Sequence, residues 1–125
     1  MKNVAKALYD FWSGFGIPAY VQDDIPSDAV LPYITYELRQ PDWRGTTAYR
    51  ASVWYADTSY VAITEMCDNI ANEIGEGKRI PCDGGNIWLF KEDDFCQFSP
   101  FERVDEDVAM SLKHAYLSMI MHVIA

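Results

Sequence analysis

The sequence predicts an α+β fold, with two helices packed on a mainly antiparallel sheet in the order α-β-β-α-β-β-β. Two segments carry apolar residues at helical spacing, each on one stripe only. Several others alternate apolar and polar residues every second position. No repeat, low-complexity tract or linker divides the 125 residues, so 1–125 reads as a single domain. Helices with one apolar stripe must cover one face of the sheet, which makes a two-layer sandwich.

Val4, Ala7, Leu8, Phe11 and Phe15 fall on one helical stripe, with Lys2, Lys6 and Asp10 opposite. Asn3 stands where a cap is needed, Gly14 and Gly16 where the helix ends, and Pro18 forbids its resumption. Phe11, Trp12, Phe15 and Tyr20 then crowd a corner expected to pin helix to sheet. Residues 20–32 are polar and proline-bearing, a connection.

PYITYEL alternates, with Ile34, Tyr36 and Leu38 on one face, and reads as a strand. RQPDWRGTT is a long turn, and Tyr49 to Ala56 a second strand that forms an antiparallel hairpin with the first. Ala51, Val53 and Tyr55 face one way; Arg50, Ser52 and Trp54 face the other.

Asp57, Thr58 or Ser59 can cap the second helix, whose stripe is Ala62, Ile63, Met66, Ile70, Ala71 and Ile74. Gly75 and Gly77 stop it. A loop follows, with a short extended piece near Ile80. Asn86 to Lys91 is apolar on both faces and reads as a central strand. Phe95 to Phe98 is extended, and Asp105, Glu106 and Asp107 make a turn. Met110 to Ile124 fits either element; its β-branched and aromatic content favours a strand with Leu112, His114, Tyr116, Ser118, Ile120, His122 and Ile124 on one face.

A chain of this size buries roughly two-thirds of its unfolded surface, so it needs no disulfide or metal to fold. No apolar run approaches the roughly 20 residues of a membrane span, and Lys6 and Asp10 interrupt any signal-peptide core, so a soluble, cytosolic protein is expected. Cys67, Cys82 and Cys96 are odd in number and form no CxxC pair, so they read as ordinary thiols. The formal net charge of −9 disfavours direct binding to nucleic acid.

No catalytic or metal motif emerges. His114 and His122 would lie roughly 26 Å apart on a strand. Cys96 beside Gln97, with His114 on a neighbouring strand, is the only nucleophile–base arrangement the sequence offers. The carboxylates cluster in loops without a calcium pattern, and Gly84-Gly85 precedes a strand rather than a helix, the wrong context for a phosphate loop. Two features suit an interface instead. Trp43 and Arg44 sit in the 39–48 turn, and Trp and Arg are the residues most enriched in hot spots. Trp54 on the outer strand face suggests that a partner covers it.

The order LYDFWSGFGIPAY, an acidic loop, PYITYEL, a Trp/Tyr-rich strand, a helix, FCQFSPFE, an acidic DED turn and a long last strand resembles the tail-terminator (tail-completion) proteins of long-tailed phages and prophages, often labelled minor capsid proteins. The resemblance spans nearly the whole chain. It implies an α+β subunit that forms a ring, a hexamer, on the completed tail tube, stops its growth and offers the docking surface for the head connector. It also implies no enzyme activity, no cofactor and no membrane, and a place in the tail or neck of the virion after assembly in the host cytoplasm. DNA would pass the lumen without specific binding, and Asp105, Glu106 and Asp107 would be the acidic turn facing that channel. Two rival readings are a small acidic phage-encoded inhibitor or nucleic-acid mimic, and a small hydrolase using Cys96 or a loop carboxylate.

Overall fold

The computed structural model describes residues 3–39, 44–99 and 111–124. Among these, α1 (Val4–Ser13) leads to β1 (Ala19–Val21), β2 (Tyr33–Tyr36) and β3 (Arg44–Asp57). Helix α2 (Val61–Ile74) follows, then β4 (Lys78–Cys82), β5 (Gly85–Ser99) and β6 (Ser111–Ile124). The strands form one sheet in the order β1-β2-β3-β6-β5-β4, parallel only between β1 and β2. The chain is an α+β protein with both helices against one face of a mainly antiparallel sheet.

The two longest strands carry the fold. β3 pairs with β6 from Arg44 opposite Ile124 to Asp57 opposite Ser111. Ala51, Val53, Ala115, Leu117, Met119 and Met121 point to the helices and are fully buried. Helix α2 lies on β3, β6 and β5 through Ile63, Met66, Cys67, Ile70 and Ile74. Helix α1 touches both ends of the sheet, β4 on one side and β1 and β2 on the other. It buries Val4, Leu8 and Trp12, with Ala7, Phe11 and Phe15 packed at the core's margin.

Trp12 centres the aromatic corner. Its ring lies 4.9 Å from Phe11, 6.3 Å from Tyr36 and 6.4 Å from Tyr49, while Phe15 meets Phe11 at 5.4 Å. A fully buried Trp of this kind removes on the order of 200 Å² from water, roughly 5 kcal/mol of transfer free energy before entropy is counted. Tyr20 does not join the corner. Its pairing opposite Thr35 turns it to the other face, where its ring meets Tyr33 at 5.6 Å.

Three elements differ from the sequence expectation, and a fourth agrees with it. The connection over 20–32 begins with β1, too short at three residues for alternation to show and held by pairing to β2. The turn over 39–48 gives way to strand at Arg44, because β6 is long enough to pair with it. The short extended piece expected near Ile80 is the edge strand β4, whose Pro81 costs no ladder bond at an edge. The two extended pieces around residues 86–98 are one strand, β5, broken by a bulge. Lys91 lies opposite Met119 and Cys96 opposite Leu117, so the four residues Glu92 to Phe95 span the stretch that Ser118 alone spans on β6.

The helix caps also differ. Asn3 adopts a left-handed conformation at φ 62°, and its amide donates to Asp83 at 2.6 Å instead of capping α1. Gly14 is right-handed, while Gly16 at φ 90° makes the turn. Tyr60 holds the cap position of α2 without a side-chain bond, while Ser59, one of the three expected caps, accepts from the Val61 N–H through its Oγ at 3.4 Å. Gly75 ends α2 at φ 56°, its N–H donating to Ala71 at 2.9 Å.

Candidate interaction surface

Strand alternation sorts the sheet into two faces. One meets the helices. Among the described residues no helix or strand lies over the other. An antiparallel sheet with one solvated face ordinarily carries polar residues there. This one carries Ala48, Ile120 and Phe90 in one row across β3, β6 and β5, and Thr46, His122, Trp88 and Arg79 in the next. A third row holds Thr35, Ser52, Tyr116 and Gln97.

The aromatic rings on this face are organised. Trp88 and Phe90 lie nearly parallel, 6.2 Å apart at 11°. The Phe90 ring rests on Gly77, where an added Cβ would stand 2.7 Å from a ring carbon and push the ring from its seat. Tyr116 remains 45 % and Ile124 48 % exposed, so large apolar side chains stand in solvent. Arg50 and Arg79 are exposed on the same face, and among the described residues neither forms an ion pair.

Of the interface residues expected from sequence, Trp54 is on this face. Its indole N–H donates to Thr35 Oγ1 at 2.9 Å, and its ring stacks on His114 at 3.7 Å and 11°. These contacts hold it half-buried within the sheet surface. Trp43 lies outside the described residues, as do Asp105, Glu106 and Asp107. Of Arg44 only the backbone is described, opposite Ile124 at the start of β3. Sequence reasoning passed over Trp88, Phe90 and Ile120. NIWLFK reads as apolar on both faces, which is also the signature of a strand buried on both sides.

The nucleophile–base arrangement does not assemble. Cys96 lies opposite Leu117 and faces the helices, whereas His114 lies opposite Ser99 on the open face. Gln97 donates to Asp94 at 3.1 Å. Cys96 instead neighbours the buried Cys67 of α2. A hydrogen bond from the Cys67 thiol holds Cys96 below its ordinary pKa, and the same bond, with burial, pushes Cys67 up. Burial holds His114 down, to about 4. His122 sits at the other end of β6, its Nδ1 3.5 Å from Thr46 Oγ1. Among the described residues no three His, Cys, Asp or Glu side chains gather to hold a metal ion, and no helix is long and apolar enough to cross a membrane.

On the helix side an open groove of about 650 Å³ runs between α1, α2 and β4. Phe11, Phe15 and Ile80 contribute apolar surface to it, and Asp10 and Glu73 carboxylates. It gathers no nucleophile–base pair, so the sheet's open face is the stronger candidate for function, and as a binding surface. No protein-family model matches the chain, and no curated protein or solved structure matches it.

Proposed function

We propose that this chain is a ring-forming subunit of the tail-terminator type, which caps a completed phage tail tube, stops its polymerisation and presents the surface on which the head connector docks. The observation that carries the reading is the open sheet face. Trp88, Phe90, Ile120 and Tyr116 stand on the side of the sheet that no described element covers. Apolar and aromatic residues left open there cost a lone subunit solubility, whereas a subunit covered by a neighbour gains their burial. The order of motifs that resembles tail terminators supplies the identity of the assembly, and a sheet with two helices on one face is the fold that resemblance implies.

In this reading the partners are further copies of the chain in a hexameric ring, the tail-tube protein below and the head connector above. The subunit performs no chemistry and takes no cofactor. It acts in the neck of the virion after assembly in the host cytoplasm, and DNA passes its lumen without being held. The net charge of −9 suits that role, because a cationic lining would bind the duplex through its phosphates.

Deleting the gene from the phage or prophage that encodes it tests the proposal. Electron micrographs of the lysate should show tail tubes of uncontrolled length lacking heads, restored to normal by the gene in trans. Tails of normal length joined to heads would contradict it.

A further inference from the structure

We infer that neighbouring copies meet head to tail, the acidic outer face of α2 from one copy seated on the open sheet face of the next. The inference rests on the ring reading and assigns its contact surface.

The two faces are chemically complementary. Helix α2 contains no basic residue. Its exposed side presents Glu65 and Asp68, about one turn apart, and neither forms an ion pair among the described residues. Glu73, further along, is already held by Lys78 at 2.7 Å. At the helix start Tyr60 and Val61 stand 44 % and 62 % exposed, adding apolar surface to the same end. The sheet's open face offers the counterpart, with the parallel rings of Trp88 and Phe90 as the apolar part and the exposed Arg50 and Arg79 as the charges.

One subunit cannot satisfy both surfaces by itself, because they lie on opposite sides of the two-layer sandwich. A two-fold contact would set carboxylates against carboxylates or arginines against arginines, and the net charge of −9 makes the first of these more costly still. A heterologous contact pairs opposite charges and buries the aromatic rings at the same time. Repeated with a closing rotation, such a contact makes a ring.

Two charge-reversed proteins test this by mass photometry of the full chain, with circular dichroism to verify folding. One carries Arg50→Glu with Arg79→Glu, the other Glu65→Lys with Asp68→Lys. Each alone should assemble at least tenfold more weakly than the parent. Their equimolar mixture should regain assembly, because the reversed sheet face of one meets the reversed helix of the other and the remaining contact is the original one. Parent-like assembly of either protein alone, or a folded mixture that stays apart, would overturn the assignment while leaving the ring reading intact. A parent chain that remains monomeric at every concentration would remove both. Should a reversal not fold, Glu65→Gln with Asp68→Asn carries the same test: severalfold weaker assembly supports the contact and unchanged assembly overturns it.

Discussion

The indole N–H of Trp12 donates to the phenol oxygen of Tyr49 at 3.1 Å, and that phenol donates in turn to the backbone carbonyl of Glu37 at 2.7 Å. One chain of hydrogen bonds therefore joins α1 to β3 and to the residue that follows β2. Burial pushes the Tyr49 phenol up, so it keeps its proton and its donor role. The corner is rigid because its rings are packed and its two polar groups are both satisfied.

Tyr49→Phe leaves the Trp12 N–H and the Glu37 carbonyl without this partner. A loss of about 2 kcal/mol in unfolding free energy is expected, from the cost of buried polar groups deprived of a bond. Urea denaturation followed by Trp fluorescence reads it directly. A change within about 0.5 kcal/mol, the usual range for a surface substitution, would mean that the relay contributes nothing.

His114 is buried and stacked on Trp54, with its pKa held down at about 4 against an ordinary 6.5. Above pH 6.5 it is neutral in both the folded and unfolded chain, so it adds no pH dependence. As pH falls from 6.5 toward 4 the unfolded chain takes up the proton first and the fold loses up to ~3 kcal/mol. His114→Phe keeps an aromatic ring without a proton site, so the difference in Tm between it and the parent should shift in its favour as pH drops from 7 to 5. A constant difference across that range would contradict the burial of an uncharged imidazole.

The three thiols should react in a fixed order. Cys96 is half-exposed and its thiolate is favoured by the hydrogen bond from Cys67, whereas Cys67 is buried and its pKa raised by the same contact and by burial. Burial also raises the pKa of Cys82, with the Asp83 carboxylate adding to it. Iodoacetamide at neutral pH, read by peptide mass spectrometry over time, should label Cys96 first and Cys67 last. Labelling of Cys67 ahead of Cys96 would show that the α2–β5 contact is not as described.

The open face predicts its own mutational pattern. Tyr116→Thr and Ile120→Thr replace apolar surface with residues that keep β propensity. Together they should weaken self-association by ten- to a hundredfold, about 1.4 to 3 kcal/mol, while Tm moves by only a few degrees. A large fall in Tm with unchanged assembly would place these side chains in the folding core instead of the interface.

The sequence made the fold class legible because periodicity is local. The stripe of α2 and the alternation of β6 each show in a single segment, and the structure places Leu112, His114, Tyr116, Ser118, Ile120, His122 and Ile124 together on one face, as the alternation assigns. What it concealed depends on partners distant in sequence. β1 is a strand only because β2 runs beside it, and the bulge in β5 appears only against the register of β6. Asn3 looks like a cap, but its side chain is claimed by Asp83, eighty positions away. The candidate site was half legible. Trp54 shows on the outer face of an alternating strand, whereas Trp88 and Phe90 sit in a run where both faces are apolar. Only the placement of both helices on one side separates the buried Ile87 and Leu89 from the open pair.

Negative-stain electron microscopy of the purified chain, across a concentration series, tests the central claim most directly. Closed rings of uniform diameter with one rotational symmetry, growing in number with concentration, are the predicted result. Monomers, or two-fold dimers that never progress to rings at any concentration, would contradict it.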